Sequence, residues 1–208
     1  MKRIILMLVL ISFLSSFKKE PPKVLLYIQD NSSDLGFMLP NEAGKMSELL
    51  KQAGFEVIIA TISGEKLKTD EINVKPDIKL SQVDISEFSG LIMPCMASED
   101  TIVTSEEKNL IRKLANEGKP VAAQVSAVLL LAKSGILEFK KYAFPSNNMI
   151  KPDMFPEFKN CIYRGIGVVQ DGNIITSGIC PMETKMTGLN DGTSDLTNKL
   201  IEAIKAKN

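Results

Sequence analysis

Short apolar runs alternate with amphipathic segments along most of this chain. The runs lie at Lys23–Asp30, Phe55–Thr61, Gly90–Pro94 and Pro120–Gln124, and each is dense enough in apolar residues to predict a strand buried on both faces. Two of the segments between them repeat apolar residues three and four positions apart, which predicts helices. Strands and helices in alternation are typical of a doubly wound, mainly parallel sheet. We therefore expect a three-layer α/β domain.

The two helices can be bounded by their end signals. Glu42–Gln52 carries an apolar stripe, and Asn41 is a suitable N-cap for it. Thr104 and Glu107 have the spacing of a capping box, which predicts a helix that begins there. Residues 63–84, by contrast, are charged and weakly periodic. We expect that segment to wrap around an edge of the sheet.

The pattern changes in the last third of the chain. Cys161–Val169 and Asn173–Ser177 are separated by a Gln-Asp-Gly turn, which predicts a late β-hairpin. Gly178–Gly192 shows little helical periodicity, and we expect it to be a loop. The final helix is predicted over Asp195–Lys205.

The segment Lys119–Gly135 joins a strand to a helix with almost no loop between them. Pro120–Gln124 is the predicted strand, and Ala127–Lys133 is the predicted helix. Such a turn projects its residues over the carboxyl edge of the sheet, where hydrolase-type folds hold their nucleophile. The turn residues here are Val125 and Ser126. Val125 has no nucleophilic atom, so the usual chemistry of such a turn is missing.

The sequence of this segment, KPVAAQVSAVLLLAKSG, resembles a motif of the ThiJ/PfpI family, also called the DJ-1/PfpI family, in the class I glutamine amidotransferase-like superfamily. The family pattern is approximately K-P-V-A-A-I-C-H-G-P-x-x-L-x-x-A-G. Its Cys falls on Val125, and its His, where present, falls on Ser126. The resemblance covers about Lys23–Lys205. It implies a flavodoxin-like fold of the DJ-1/PfpI type.

Three other segments share this resemblance. Leu91–Met96 is similar to the family strand that ends in L-P-G-G, with Cys95 and Met96 in place of the two glycines that shape the oxyanion pocket. Glu42 lies twelve residues before Gly54, as does the family glutamate that hydrogen-bonds the Cys. The hairpin sequence DGNIITS is also similar. The resemblance implies a pocket at the elbow lined by Glu42, Cys95, Met96, Val125 and Ser126.

The chain contains no histidine. A Ser-His or Cys-His pair cannot exist within it, and neither can the usual histidine-based zinc sites. We expect no metal and no cofactor. Proton transfer would have to use a carboxylate, Lys, Tyr or a thiol. The remaining catalytic candidates are Cys95 as a displaced nucleophile and Glu42 as its base, although a small buried residue and a carboxylate in a first helical turn also explain these two residues.

The N-terminus has the three-part pattern of a secretory signal peptide. A basic start is followed by the apolar run Ile4–Leu14 and by two serines. This run is shorter than the roughly 20 apolar residues that span a bilayer. We therefore expect a signal peptide over residues 1–16, a linker over 17–22 and a single domain over 23–208. The protein is then exported, to the periplasm or outside the cell, and keeps no stable membrane anchor after processing.

The balance of charged residues indicates which classes of partner the protein could bind. Lys and Arg together number 25, as do Asp and Glu, so the net charge is zero and no nucleic-acid partner is expected.

Export would place Cys95, Cys161 and Cys180 in an oxidising compartment. Cys161 and Cys180 flank the predicted hairpin at similar distances from its turn. A disulfide between them and two buried thiols are equally compatible with this pattern.

Together these features predict an exported, noncatalytic protein, a pseudoenzyme of the family that it resembles. We expect it to bind a small molecule or a protein partner at the degenerate elbow pocket. The alternative is a hydrolase or glyoxalase-like enzyme that uses Cys95 with Glu42 as base. Because the resemblance implies that dimers are common, a homodimer is also expected.

Overall fold

The computed structural model describes residues 20–30, 32, 34–69, 72–95 and 103–207. In this part of the chain the strands are β1 Lys23–Tyr27, β2 Glu56–Thr61, β3 Leu67–Lys68, β4 Asn73–Val74, β5 Ile78–Lys79, β6 Phe88–Met93, β7 Val121–Gln124, β8 Lys141–Tyr142, β9 Ile162–Tyr163, β10 Val168–Asp171 and β11 Ile174–Ser177. The α-helices are α1 Leu35–Met38, α2 Gly44–Gln52, α3 Ser105–Asn116, α4 Ser126–Lys133, α5 Pro181–Thr187 and α6 Thr193–Lys205. The predicted signal peptide, half of the predicted linker and Met96 lie outside the described residues.

Seven strands form one sheet in the order β10-β11-β7-β6-β1-β2-β5. All neighbouring strands run parallel except β10 and β11, which form an antiparallel hairpin. The mainly parallel, doubly wound, flavodoxin-like fold is thereby confirmed, together with the late hairpin. The short strand β5 pairs with β2 at the edge of the sheet, within the segment that was expected to wrap around it.

Helices cover both faces of this sheet. The side chains of a strand point alternately to its two faces, so Leu25 packs against the layer formed by α3 and α4, whereas Leu26 packs against the layer formed by α2 and α6. The same alternation holds for Leu91 and Ile92 in β6. Because both faces are buried, the central strands need apolar side chains at every position, which explains the continuous apolar runs.

The helical region before β2 begins earlier than its sequence pattern indicates. It starts at Leu35, passes through a π-helical turn over Leu39–Ala43 and continues as α2. Asn41 is therefore inside a helical segment and is not an N-cap; its Nδ2 donates to the carbonyl oxygen of Phe37 at 2.7 Å. Pro40 does not prevent this earlier start, because proline is tolerated in the first turn of a helical segment.

The region after β11 also differs from its prediction. Gly178–Gly192 was expected to be a loop, but it contains α5. Pro181 begins this helix, and Gly188 ends it with a positive φ of 74°. Seven residues are too few to show a clear helical period, so the two end signals were the only indication in the sequence.

Among the described residues, no helix is long and apolar enough to cross a membrane.

The capping box at the start of α3 is confirmed. The Thr104 side chain accepts from the Glu107 backbone N–H, and the Glu107 side chain accepts from the Thr104 backbone N–H at 2.7 Å. Glu107 is buried, and it also accepts a hydrogen bond of 2.7 Å from the Tyr27 hydroxyl. These contacts fix the start of α3 against the central strand β1.

Candidate functional site

Val125 forms the turn between β7 and α4, as predicted. Its φ of 48° and ψ of −108° lie outside the regions that a β-branched residue normally adopts. A conformation of this kind costs on the order of 1–3 kcal/mol and persists only where the surrounding structure enforces it. Here the Val125 N–H donates to the Ser177 carbonyl oxygen at 2.8 Å. The protein thus keeps the strained geometry of a nucleophile elbow without a nucleophile in it.

The residues next to Val125 define the surroundings of this turn. The Val125 side chain is only 4% exposed, and it packs in the same apolar cluster as Cys95 and Cys180. Ser126, the first residue of α4, is half-buried, and its hydroxyl donates to the Sγ of Cys95 at 3.5 Å. A serine oxygen and a cysteine sulfur are therefore in contact beside the elbow.

Glu42 lies in the π-helical turn and is completely buried. Its Oε1 accepts from the backbone N–H of Cys95 at 2.8 Å, and its Oε2 has no hydrogen-bond partner among the described residues. Burial raises the pKa of this carboxyl well above the ordinary value, and the nearby Cys180 sulfur raises it further, while the bond from Cys95 opposes them. The surroundings therefore favour a protonated, neutral Glu42.

Cys95 and Cys180 meet at the carboxyl ends of two strands on either side of β7. Cys95 follows β6, and Cys180 follows β11 and is the N-cap of α5. The two residues pack in the same apolar cluster, where their thiols interact. This interaction lowers the pKa of Cys180, and the backbone N–H groups of Glu183 and Met182 lower it further. The same interaction, together with burial, raises the pKa of Cys95, so Cys180 is the thiol that ionises more readily.

Of the two alternatives for Cys161 and Cys180, a disulfide or two free thiols, the structure has the free thiols. Both residues are free thiols, and they pack against opposite faces of the sheet. Cys161 is close to the Glu157 carbonyl oxygen at 3.6 Å, and the strand β9 that follows it pairs with β8 instead of extending the hairpin. Similar sequence distances from the hairpin turn therefore do not bring the two sulfurs together.

The structure brings together four of the five residues that were predicted to line the elbow: Glu42, Cys95, Val125 and Ser126. The fifth, Met96, is outside the described residues. Sequence reasoning missed Cys180 as a member of this site. A signal was present, because Cys180 follows a strand whose carboxyl end shares the sheet edge with Val125. Among the described residues, no group of three or more acidic, cysteine or histidine side chains could hold a metal ion.

Comparison with known proteins agrees with this architecture. The model of the DJ-1/PfpI family matches residues 22–186. A deglycase from Pyrococcus horikoshii is 28% identical over 160 residues, which are 76% of this chain and 90% of the relative. The deglycase PfpI from Pyrococcus furiosus is 32% identical over 130 residues, which are 62% of this chain and 76% of the relative.

Two solved structures show the same fold. The ThiJ/PfpI domain protein from Brachyspira murdochii superposes with a TM-score of 0.68 at 18% identity and covers 90% of this chain and 98% of its own. Drosophila melanogaster DJ-1beta superposes with a TM-score of 0.60 at 22% identity and covers 89% of this chain and 95% of its own. The matched segment spans the sheet, the elbow and both thiols of the site. This chain belongs to the DJ-1/PfpI family.

Proposed function

We propose that this chain is an exported, noncatalytic member of the family that binds a small molecule at the elbow. The observation that carries the proposal is Val125: the strained turn is intact, but its side chain is a buried isopropyl group. Nothing in that group can attack a substrate, and the chain has no histidine to activate a neighbouring hydroxyl. Keeping a conformation that costs free energy, without the chemistry that usually accompanies it, favours a binding role.

The polar atoms around the elbow suggest the chemistry of the ligand. The Oε2 of Glu42 is buried and unpaired among the described residues, and the raised pKa of this carboxyl favours a proton on it. An unpaired buried polar group costs about 1–3 kcal/mol, and a ligand that accepts its proton in a hydrogen bond would recover that cost. The half-buried hydroxyl of Ser126 is a second polar group nearby. A small, neutral carbonyl compound has the acceptor that these groups require.

The competing proposal is a hydrolase or glyoxalase-like enzyme with Cys95 as nucleophile and Glu42 as base. Several relatives are named deglycases, which keeps an enzymatic role open for this family. The contacts of this site do not favour it. Glu42 bonds to the backbone N–H of Cys95, not to its sulfur, and the pKa of the Cys95 thiol is raised. A thiol that holds its proton is a weak nucleophile.

An activity assay separates the two proposals. The purified protein is incubated with a 2-oxoaldehyde and with an amine that carries a 2-oxoaldehyde adduct, beside one of the deglycase relatives as positive control. We expect turnover no faster than that of a Cys95→Ser variant. Turnover at a rate comparable to the relative, lost in Cys95→Ser, would establish the enzyme and refute the binding proposal.

Ligand binding is tested on the same preparations. Small carbonyl compounds are screened by isothermal titration against the protein, against Glu42→Met, which has a similar size but no donor, and against Glu42→Gln, whose amide keeps a donor. We expect at least one compound that binds the unaltered protein and Glu42→Gln but binds Glu42→Met at least about fivefold more weakly, since one hydrogen bond is worth about 1 kcal/mol or more. If a compound bound all three proteins equally, the elbow would not be its site.

Export and assembly are further parts of the proposal. Residues 1–22 are fused to a reporter enzyme that is active only outside the cytoplasm, with a matched fusion that lacks Ile4–Leu14. We expect activity from the first fusion alone. Light scattering on the purified protein tests the proposed homodimer, for which the expected mass is twice that of one chain.

A further inference from the structure

We propose that Cys95 and Cys180 are a redox pair, which a hydroperoxide converts into a disulfide across the elbow. This goes beyond the binding role, because it assigns a covalent modification to two thiols of this chain. It does not depend on whether a ligand binds at Val125.

The geometry brings the two sulfurs together from distant parts of the sequence. β6 and β11 are the two neighbours of β7, and both strands deliver a cysteine just beyond their carboxyl ends. The two side chains lie in one apolar cluster, and their thiols interact. A disulfide needs a sulfur–sulfur distance of about 2.05 Å, so two neighbouring thiols can close the bond once local movements bring their sulfurs together.

The surrounding contacts hold each cysteine in place. The Gln124 amide, at the end of β7, donates to the carbonyl oxygen of Ile179, the residue before Cys180. The backbone N–H of Cys95 is bonded to Glu42, and its sulfur accepts from Ser126. Neither thiol is therefore on a freely moving segment of the described chain, and their contact is a built feature of the sheet edge.

The two thiols have different surroundings, which assigns them different roles. Cys180 is the N-cap of α5, where the backbone N–H groups of Met182 and Glu183 and the neighbouring Cys95 thiol favour a thiolate. Cys95 is buried beside Cys180 and the Glu42 carboxyl, which favours its protonated form. Cys180 is thus the attacking thiol, and Cys95 is the resolving thiol.

The reaction balances with hydrogen peroxide as the oxidant. The Cys180 thiolate attacks one peroxide oxygen; the O–O bond breaks, a sulfenic acid forms, and the departing hydroxide takes a proton from solvent and leaves as water. The Cys95 sulfur then attacks the Cys180 sulfur; the S–S bond forms, the S–O bond breaks, and the hydroxide leaves as water with the Cys95 proton. Two thiols and one peroxide give one disulfide and two waters.

The burial of both thiols favours a small oxidant. The two side chains are 6% and 1% exposed, so access requires opening motions that admit a molecule close to the size of water. Cys161 is more exposed than either, and it provides an internal control on the opposite face of the sheet.

The test is peptide mapping of the full protein without reduction. The protein is reduced, freed of reductant, treated with hydrogen peroxide, alkylated and digested. We expect a crosslinked peptide that contains Cys95 and Cys180, two hydrogen masses lighter than the sum of the reduced peptides, with Cys161 still alkylated. Crosslinks that involve Cys161, or two separately alkylated thiols at 95 and 180 at peroxide levels that already oxidise Cys161, would overturn the proposal.

Single variants test the assigned roles. Cys161→Ser should form the disulfide at an unchanged rate. Cys180→Ser should slow the peroxide oxidation of Cys95 at least tenfold, because the thiol that ionises is gone, whereas Cys95→Ser should leave a sulfenic acid on Cys180 that a dimedone-type reagent traps. Equal rates of Cys95 oxidation with and without Cys180 would refute the pairing. Circular dichroism checks the folding of each variant. The peptide mapping of the unaltered protein tests the disulfide even if a variant does not fold.

Discussion

Replacing Glu42 with glutamine should change how the stability of the protein depends on pH. Burial raises the pKa of this carboxyl, so the folded protein holds a proton that the unfolded chain releases near the ordinary value of 4.5. Where the folded state binds more protons than the unfolded state, stability falls as the pH rises. The loss begins near pH 4.5 and continues up to the pKa of the folded state. Below this range both states are protonated, and the contribution is constant.

The magnitude follows from one proton. A single group of this kind removes up to about 1.4 kcal/mol of unfolding free energy for each pH unit within its range. Glutamine does not titrate, and its oxygen can still accept from the Cys95 N–H that now donates to Oε1 at 2.8 Å. The unfolding free energy of Glu42→Gln minus that of the unaltered protein should therefore rise steadily above pH 4.5.

Urea denaturation of both proteins at pH 5, 6 and 7 measures this difference. Every other titrating group is shared, so its contribution cancels in the comparison. Glu48→Gln is the matched control, because it makes the same substitution at an exposed position on α2. Parallel curves for Glu42→Gln and the unaltered protein would refute the reasoning, since they would mean that the buried carboxyl loses its proton as readily as it does in the unfolded chain.

Three other substitutions test the backbone and the caps. Val125→Gly should be at least as stable as Val125→Ala in urea, because relief of a positive φ worth on the order of 1–3 kcal/mol offsets the usual cost of glycine; a clearly less stable glycine variant would argue against strain at the elbow. Thr104→Ala should lower the stability by about 1 kcal/mol and Thr104→Ser should not, and equal losses would mean that the capping hydroxyl contributes nothing. Gly178→Ala should lower the thermal midpoint, with a cost of about 1–3 kcal/mol, because its new Cβ would meet the Phe144 backbone at 2.6 Å, whereas Gly167→Ala, with open space around it, should not.

The sheet could be predicted because its strands are buried on both faces, and a short continuous apolar run such as the one at Gly90–Met93 is typical of a strand in that position. The start of α3 could be predicted because one short pattern, Thr104 with Glu107, fixes it locally. The sequence pattern did not predict the helical turns before α2 or the helix α5. Both are short segments that contain a proline, and in such segments tertiary packing decides between helix and loop.

The candidate site likewise contains some contacts that the sequence predicted and others that it did not. The meeting of Glu42, Cys95 and Val125 was expected from strand ends that share one edge of the sheet and from the family motif. The shared cluster of Cys95 and Cys180 was not expected, because sequence distances do not show where the segment after β11 lies relative to the end of β6. The choice between a disulfide and free thiols at Cys161 and Cys180 was left open for the same reason, and the hairpin that forms is shorter than the pairing would need.

The π-helical turn at Leu39–Ala43 has a consequence for how this site tolerates change in length. The turn is closed by the Gly44 N–H on the Leu39 carbonyl oxygen, one residue wider than an α-helical turn. Removing one residue here would leave an unbroken α-helix, in which each position is rotated by about 100° from the next. Either Glu42 or the apolar side of α2 would then face the wrong way, so insertions and deletions in this stretch should break the bond between Glu42 and the Cys95 N–H even where both residues are retained.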